Sequence, residues 1–407
     1  MSKLKILVGY HKPAVLIKDA TYTPIHLGRA LANEASKDGL MSVKDYQWMC
    51  ENMIGDDTGN NISHLNRYLN ELTGIYWAYK NYDKLENPDY IGYVHYRRHF
   101  IFDERAKLAS RAYENFFPSY EFIDEDYKAL LDVSKFDLEK YDCVVSEIYD
   151  MKKLKNFKNL YESFSSNTRD ASSLRLLQSL LNNDENFKDY KQIANGFFKQ
   201  SKYYYCNMFL MKKELFFEFC SFLFDVLLSM YEKRKDYLQS LGISHFEKRE
   251  LGYCAEYLST FFILKQLTGG KNIKELPISF IQNTDLLREL SPQKDELSLV
   301  FSFDENHWAY FAVSLKSLIK NLNPKRKCRI YILYKNIHFN TQKRLNKHII
   351  PVFRKLVKNF LNFPHKERPV KIFSPIYFFS SKIVAIFVLI RSIATVLLTP
   401  SGIMTSA

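Results

Sequence analysis

Short apolar runs, each followed by a stretch with helical spacing, recur along the first 290 residues, and this alternation restricts the fold more than any other feature of the chain. LKILVG at 4–9 is the first run and ends at Gly9. YIGYVHY at 90–96, CVVS at 143–146 and CNMFLM at 206–211 are the next three. Between the first two, Leu65, Tyr68, Leu69, Leu72, Ile75, Tyr76 and Tyr79 fall on one helical face, with Asn61 or Ser63 as the expected cap. Residues 174–181, 213–231 and 250–266 read as further helices. Strands alternating with helices predict an α/β architecture with a mainly parallel sheet.

A break at SPQKDE (291–296) separates this pattern from a second one. LSLVFSF, a helix over 308–321 and CRIYILY form a fresh strand–helix–strand start. The expected organisation is a domain at 1–290, a linker at 291–296, a partial second unit at 297–349 and a tail at 350–407. The tail carries IVAIFVLI (383–390) and IATVLL (393–398), interrupted by Arg391. A membrane span needs about 20 predominantly apolar residues, so the tail reads as interfacial rather than spanning.

Composition narrows the function classes. The chain of 407 residues is 46% hydrophobic with 13 Gly and 12 Pro, which fits a packed protein and not a disordered one. Its net charge of +13 invites a nucleic-acid reading, but residues 296–407 hold 18 Lys and Arg against 4 Asp and Glu, leaving residues 1–295 at −1. A near-neutral first domain is a poor match for backbone-driven nucleic-acid binding, and a basic second part suits an anionic membrane surface. The six cysteines form no CxxC pair, so neither zinc nor a redox couple is expected. With no secretory signal pattern in MSKLKILVGYHK, a cytoplasmic location is expected, in contact with the inner face of the plasma membrane.

Four clusters carry candidate chemistry. GYHK (9–12) follows the opening strand, where open α/β sheets bind ligands; Tyr10 is placed to stack on a base, and His11 or Lys12 to reach phosphate. By itself the cluster reads better as a surface turn. GDDTGNN (55–61) puts Asp56, Asp57 and Asn61 where they can bond ribose hydroxyls, beside a helix start suited to anions. The plainer reading is a capped amphipathic helix whose Tyr76, Trp77 and Tyr79 simply pack. HYRRHF (95–100) closes the second strand, and His95, Arg97 and Arg98 there suit a diphosphate, since arginine offers paired donors and never titrates away. The competing view pairs them with Asp103 and Glu104. EKRELGYCAEYL (247–258) supplies Glu250 and Glu256 on a helix; a transferase that activates an acceptor hydroxyl needs such a carboxylate.

VGYHK, DDTGNNIS, LNRYLNELTGIYWAYKN, DYIGYVHYRRHF, NMFLMKKELF, GYCAEYL and FIQNTDLLRE occur in this order. The set resembles the bacterial domain-of-unknown-function family numbered 4422, over roughly residues 4–290, whose members are associated as glycosyltransferases with capsule and lipopolysaccharide synthesis. The resemblance implies a single-Rossmann-type, GT-A-like nucleotide-sugar transferase fold. It carries Tyr10, His11, Asp57, Asn61, Asn66, Glu71, Thr73, Trp77, His95, Tyr96, Arg97, Arg98, Asn207 and Glu256 over as site or site-supporting positions. Asn60 stands after Gly59, where the family pattern has Asp. LSLVFSFDENHWAYFAVSLKSLIKNLNP with IYILYKNI resembles the start of the family 8 glycosyltransferases, which places Asp304 and Asn306 in a nucleotide-contacting loop. That family's downstream Asp-x-Asp motif is missing, and Glu367 is the one acidic side chain in 350–407, so this unit is expected to be an inactive remnant.

The expectation is therefore a glycosyltransferase using a nucleotide-sugar donor, a UDP-sugar, and a lipid-linked or oligosaccharide acceptor. His95, Arg97 and Arg98 would hold phosphate and Glu256 would serve acid–base chemistry. A divalent metal, Mn or Mg, stays open, because DDT at 56–58 is not an Asp-x-Asp triplet and SEIYD (146–150) is a weak match. A transferase of another activated phosphate donor, and a non-catalytic glycan- or nucleotide-binding subunit, are the alternatives.

Overall fold

The computed structural model describes residues 3–36, 38–113, 117–155, 157–168, 171–286, 296–304, 306–321 and 327–335. The chain divides into two compact units, Met1–Leu287 and Arg288–Ala407.

The first unit is built on one twisted sheet. β1 (Leu4–Tyr10) lies between β2 (Tyr22–His26) and β4 (Tyr90–His95), parallel to both, and β3 (Ile54–Gly55) extends the parallel run beyond β2. Ile6, Leu7 and Val8 of β1 and Ile91, Tyr93 and Val94 of β4 are at most 1% exposed. Both faces of these strands are covered, which is why their sequence is a continuous apolar run. On the far side of β4 come Phe209–Lys212, Cys143–Ser146 and Ile273–Leu276. The last two are parallel, but Phe209–Lys212 runs antiparallel to both neighbours. The sheet is thus parallel in its first half and interrupted in its second. The chain reaches Phe209 after the long excursion 151–208 and enters the sheet from the opposite end. After β4 the chain turns back into β5 (Arg98–Phe100), which pairs with Ile278–Ile281.

The helices Lys213–Gln239 and Glu250–Thr268 match the predicted segments and extend the first of them by eight residues. The helix expected after the GDDTGNN loop is broken. A single turn at Ser63–Leu65 leads to Asn66–Leu69, and Leu72–Lys80 starts afresh after Asn70, whose φ of 52° and ψ of −125° are not helical. Neither Asn61 nor Ser63 caps it. Asn61 bonds the carbonyls of Asp57 and Gly59, and Ser63 donates to Asp56.

Asp56 explains this loop. It is fully buried and accepts four hydrogen bonds: from the Gly28 and Arg29 amides at 2.7 and 3.0 Å, from Ser63 Oγ at 2.5 Å and from Thr73 Oγ1 at 2.6 Å. One carboxylate thereby ties the turn after β2 to the end of β3 and the helix Leu72–Lys80. Gly28 takes φ of +64° in that turn, and a Cβ on it would run into Asn66. Asp56 is a structural residue with no oxygen to spare for a ribose.

The second unit, by itself, is the expected strand–helix–strand start. Glu296–Asp304 and Lys327–Lys335 pair in parallel along nine positions, connected by the helix Trp308–Asn321. Phe311 packs edge-on against Phe301. The apolar, basic tail at 350–407 lies outside the described residues. Among the described residues no helix is long and apolar enough to cross a membrane.

Replacing Asp56 with alanine strips four buried donors of their acceptor. Hydrogen bonds to a charged group are worth about 1.5–3 kcal/mol each, and an orphaned donor costs more than the bond itself returns. The variant is expected to lose about 3 kcal/mol or more in urea unfolding; a loss below about 1 kcal/mol would contradict the role given to this residue.

Candidate functional site

A cleft of about 890 Å³ opens at the carboxyl ends of β1, β2 and β4, where open α/β sheets place their ligands. Gly9 and His11 line it from β1, His26 to Gly28 from β2, and His95 to Arg98 from β4. The opposite wall comes from Asn66, Asn70, Glu71, Cys206, Arg249, Tyr253 and Glu256.

Two residues with left-handed backbones join these walls. Cys206 and Asn207 have φ of 78° and 50°, a conformation that side-chain-bearing residues adopt at a cost. The Cys206 amide donates to Glu256 Oε1 at 3.1 Å, and its carbonyl accepts from His95 Nε2 at 2.8 Å. Asn207 Nδ2 donates to Glu71 Oε1 at 2.8 Å, and its Oδ1 accepts from Ser259 Oγ at 3.2 Å. A single strand is expected through 206–211; the strand begins at Phe209, and Cys206 and Asn207, separated from it by Met208, form this turn instead.

Electrostatics separates the roles of the polar groups. Glu256 is half-buried, and its pKa is pushed up to about 8 by burial and by the neighbouring Glu71, against the pull of the Cys206 amide, Arg98 and Arg249. His95 is held below its ordinary value, because burial and Arg98 outweigh the attraction of Glu71. Arg249 donates Nε to Asn70 Oδ1 at 2.9 Å, which fixes its guanidinium on the cleft wall. Arg97 lies over the Phe280 ring at 4.5 Å and donates to the Ile281 carbonyl at 3.3 Å, so it anchors the Ile278–Ile281 strand while lining the cleft. Asp103 and Glu104 pair with Lys135 and Lys274, not with the arginines. His99 points away from the cleft and bonds Tyr127 at 2.6 Å.

The structure brings His11, Asn66, Glu71, His95, Tyr96, Arg97, Arg98 and Glu256 into one lining, with Asn207 directly behind it. It keeps others out. Tyr10 is 0% exposed, with its hydroxyl donating to Val15 and accepting from Ile17, so it cannot stack on a base. Trp77 is 2% exposed and bonds Thr58, as the plainer reading of that helix requires. Asp57 is engaged by Arg29 at 2.6 Å. Asn61 is spent on its own loop, and Lys12 is not part of the lining. Glu250 is 2% exposed in a two-point ion pair with Arg234 and does not face the cleft. His26, Asn70, Cys206 and Arg249 were missed. Arg249 lies inside the EKRELGYCAEYL motif, while His26 ends a strand whose Pro24 masks its pattern.

A divalent cation takes about six oxygen ligands. Among the described residues no group of three or more His, Cys, Asp or Glu is placed to hold a metal ion. Of the four carboxylates in the lining, Glu34 pairs with Arg67 and Asp38 with His11, while Glu256 shares its surroundings with Glu71, Arg98 and Arg249.

The half-parallel sheet with its cleft at the strand ends defines a single-Rossmann-type, GT-A-like α/β fold of the glycosyltransferase kind. Residues 5–267 match the family described as domain of unknown function DUF4422, and the chain belongs to that family. Among solved structures it is similar to the apo structure of WbbM, a bifunctional glycosyltransferase, with a TM-score of 0.58 and 26% identity over 85% of this chain and 57% of that one. The chain thus spans little more than half the length of that protein. No curated protein matches it.

Glu256 keeps its proton in the folded protein up to about pH 8 but releases it near pH 4.5 when unfolded. Between these values the unfolded state binds fewer protons, so this residue's contribution to stability falls as pH rises. Glu256→Gln is expected to gain stability relative to the parent from pH 5 to pH 8 in urea unfolding. Parallel stability curves would contradict the shifted ionisation.

Proposed function

We propose that the protein is a glycosyltransferase that moves a sugar from a nucleotide-sugar donor, a UDP-sugar, onto a growing capsular or lipopolysaccharide glycan. The observation that carries this reading is the pairing, in one cleft, of a cationic wall with a carboxyl group whose pKa lies close to neutral. Arg98, with Arg97 and Arg249 beside it, supplies the charge that a departing nucleoside diphosphate requires. Preorganised donors of this kind act on the charge that develops as the bond breaks.

The bond changes are then simple. The acceptor hydroxyl oxygen bonds to the anomeric carbon, the bond from that carbon to the diphosphate oxygen breaks, and the hydroxyl proton passes to Glu256. A base with a pKa near working pH is effective in that exchange. Glu256 performs it in the fraction that is ionised as the pH approaches its pKa of about 8, a fraction that Arg98 and Arg249 enlarge. The bonds from Cys206 and Asn207 hold Glu256 and Glu71 at fixed positions. The similarity to WbbM and the family membership support the same reading. The basic excess in 296–407 supports action in the cytoplasm, in peripheral contact with an anionic membrane where lipid-linked acceptors reside.

The test is a transfer assay that follows nucleoside diphosphate release. Arg98→Ala is expected to lower kcat/KM by about 100-fold, the effect of removing one such electrostatic contact. Glu256→Gln is expected to lower kcat with donor affinity retained. Arg97→Ala should lose stability as well as activity, because Arg97 also holds the Ile278–Ile281 strand. Near-parental activity in both Arg98→Ala and Glu256→Gln would overturn the assignment.

A further inference from the structure

The large apolar side chains that the first unit leaves exposed gather round the mouth of the cleft. Among the described residues, Leu40, Val43, Ile148, Leu241 and Phe246 each stand within two residues of one that lines the cleft, and Leu108 and Leu267 lie elsewhere. Exposure in the group runs from 40% at Ile148 to 100% at Leu241. Single exposed apolar residues are ordinary, but a group of them round one opening marks a surface that meets something.

Two segments carry most of the group. Leu40 and Val43 flank the entry to the helix Val43–Asn52, whose cap Ser42 accepts from the Asp45 amide at 3.1 Å. Leu241 and Phe246 stand on either side of Ser244, which caps the turn His245–Lys248. Between the two segments lies Asn66–Leu69, a helix about 6 Å long at 1.5 Å per residue. Its Arg67 pairs with Glu34, and Asn70, just past its end, holds Arg249 at 2.9 Å. Both segments are therefore tied to one short helix at the edge of the cleft that they line.

The charges beside these side chains suit an anionic surface. The acids are engaged within the protein: Glu34 with Arg67, Asp38 with His11, and Glu247 with Tyr237 and the Ser244 amide. Asp45 lies in the first turn of its helix, where it offsets the positive end of the dipole. Lys44 and Lys248 form no ion pair among the described residues, and Arg249 is held by the neutral Asn70. Apolar tips between uncompensated cations fit a lipid interface, where hydrocarbon takes the side chains and phosphate the ammonium groups. A rigid partner seated on these tips would shut the opening for as long as it stayed. Shallow contact with a fluid bilayer is made by a few side chains and is readily reversed.

We propose that the rim formed by Leu40, Val43, Leu241 and Phe246 docks on an anionic phospholipid bilayer, so that the cleft opens at the lipid surface. The contact is separate from the one proposed for the basic excess in 296–407, and it does not depend on what the cleft binds.

The test uses the full chain with vesicles of phosphatidylglycerol and phosphatidylethanolamine, with and without bromine in the acyl chains. Leu40→Trp and Leu241→Trp put a reporter on each segment, and Leu267→Trp puts one away from the cleft. Both rim reporters are expected to be quenched by brominated lipid beyond the baseline set by the parent's own tryptophans, and Leu267→Trp is not. The triple variant Leu40→Asp, Leu241→Asp and Phe246→Asp, checked for folding by circular dichroism, is expected to bind the same vesicles at least about tenfold more weakly, the scale of losing a few inserted side chains. A protein that binds the vesicles with either rim reporter unquenched, or with Leu267→Trp quenched as strongly, overturns the proposal and leaves the membrane contact to the residues beyond 296. Absence of any vesicle binding overturns it as well. A dimer in sedimentation equilibrium that the triple variant dissociates, with no quenching at the rim, assigns the surface to a second copy and also overturns it. The reporters replace exposed side chains, so their quenching decides even where the triple variant fails to fold.

Discussion

The turn at Cys206 and Asn207 is the constraint on which the site depends. Two successive residues in the left-handed region cost roughly 1–3 kcal/mol each. The surrounding bonds offset that strain: Cys206 to Glu256 and His95, Asn207 to Glu71 and Ser259. The same bonds bring β4, the start of the helix Leu72–Lys80 and the helix Glu250–Thr268 to one point. Without the turn, Phe209–Lys212 would still pair in the sheet, but the two carboxylates would have no common frame. Asp56 does a parallel service on the other side of the cleft, fixing the β2 end by four hydrogen bonds to a single buried side chain.

Much of this was legible in the sequence, for physical reasons. β1, β4 and Cys143–Ser146 are covered on both faces, so each reads as an unbroken apolar run. β2 was missed because YTPIH is short, carries polar Thr23 and contains Pro24. The helix pattern over 65–79 is genuine in its burial, but spacing cannot reveal the break at Asn70, since both pieces pack the same face. In the site, Glu71, Asn207 and Glu256 are far apart in sequence, and only the resemblance to a family placed them together. Tyr10, Trp77 and Asp56 were misread for one reason. Aromatic and acidic residues in polar motifs look like ligand contacts, but these three satisfy the protein itself.

The site is better described by its charge than by its shape. Arg98 and Arg249 depress the pKa of Glu256 while burial and Glu71 raise it, and the outcome is a carboxyl group that titrates near working pH. Arrival of a diphosphate would draw on the same guanidinium groups. Under the proposed function, phosphate charge and carboxylate ionisation would be linked through Arg98, so that donor binding would shift the ionisation of Glu256. The membership in DUF4422 and the likeness to a bifunctional glycosyltransferase of nearly twice the matched length place this cleft in a wider setting.

The central claim is that the cleft at the ends of β1, β2 and β4 receives the donor. Amide hydrogen exchange with and without a nucleoside diphosphate tests it most directly. The account predicts slowed exchange at residues 9–11, 26–28, 95–98 and 205–207, with no change in the helix Trp308–Asn321. Protection confined to the second unit, or absent from all four cleft segments while the ligand is bound, would contradict it.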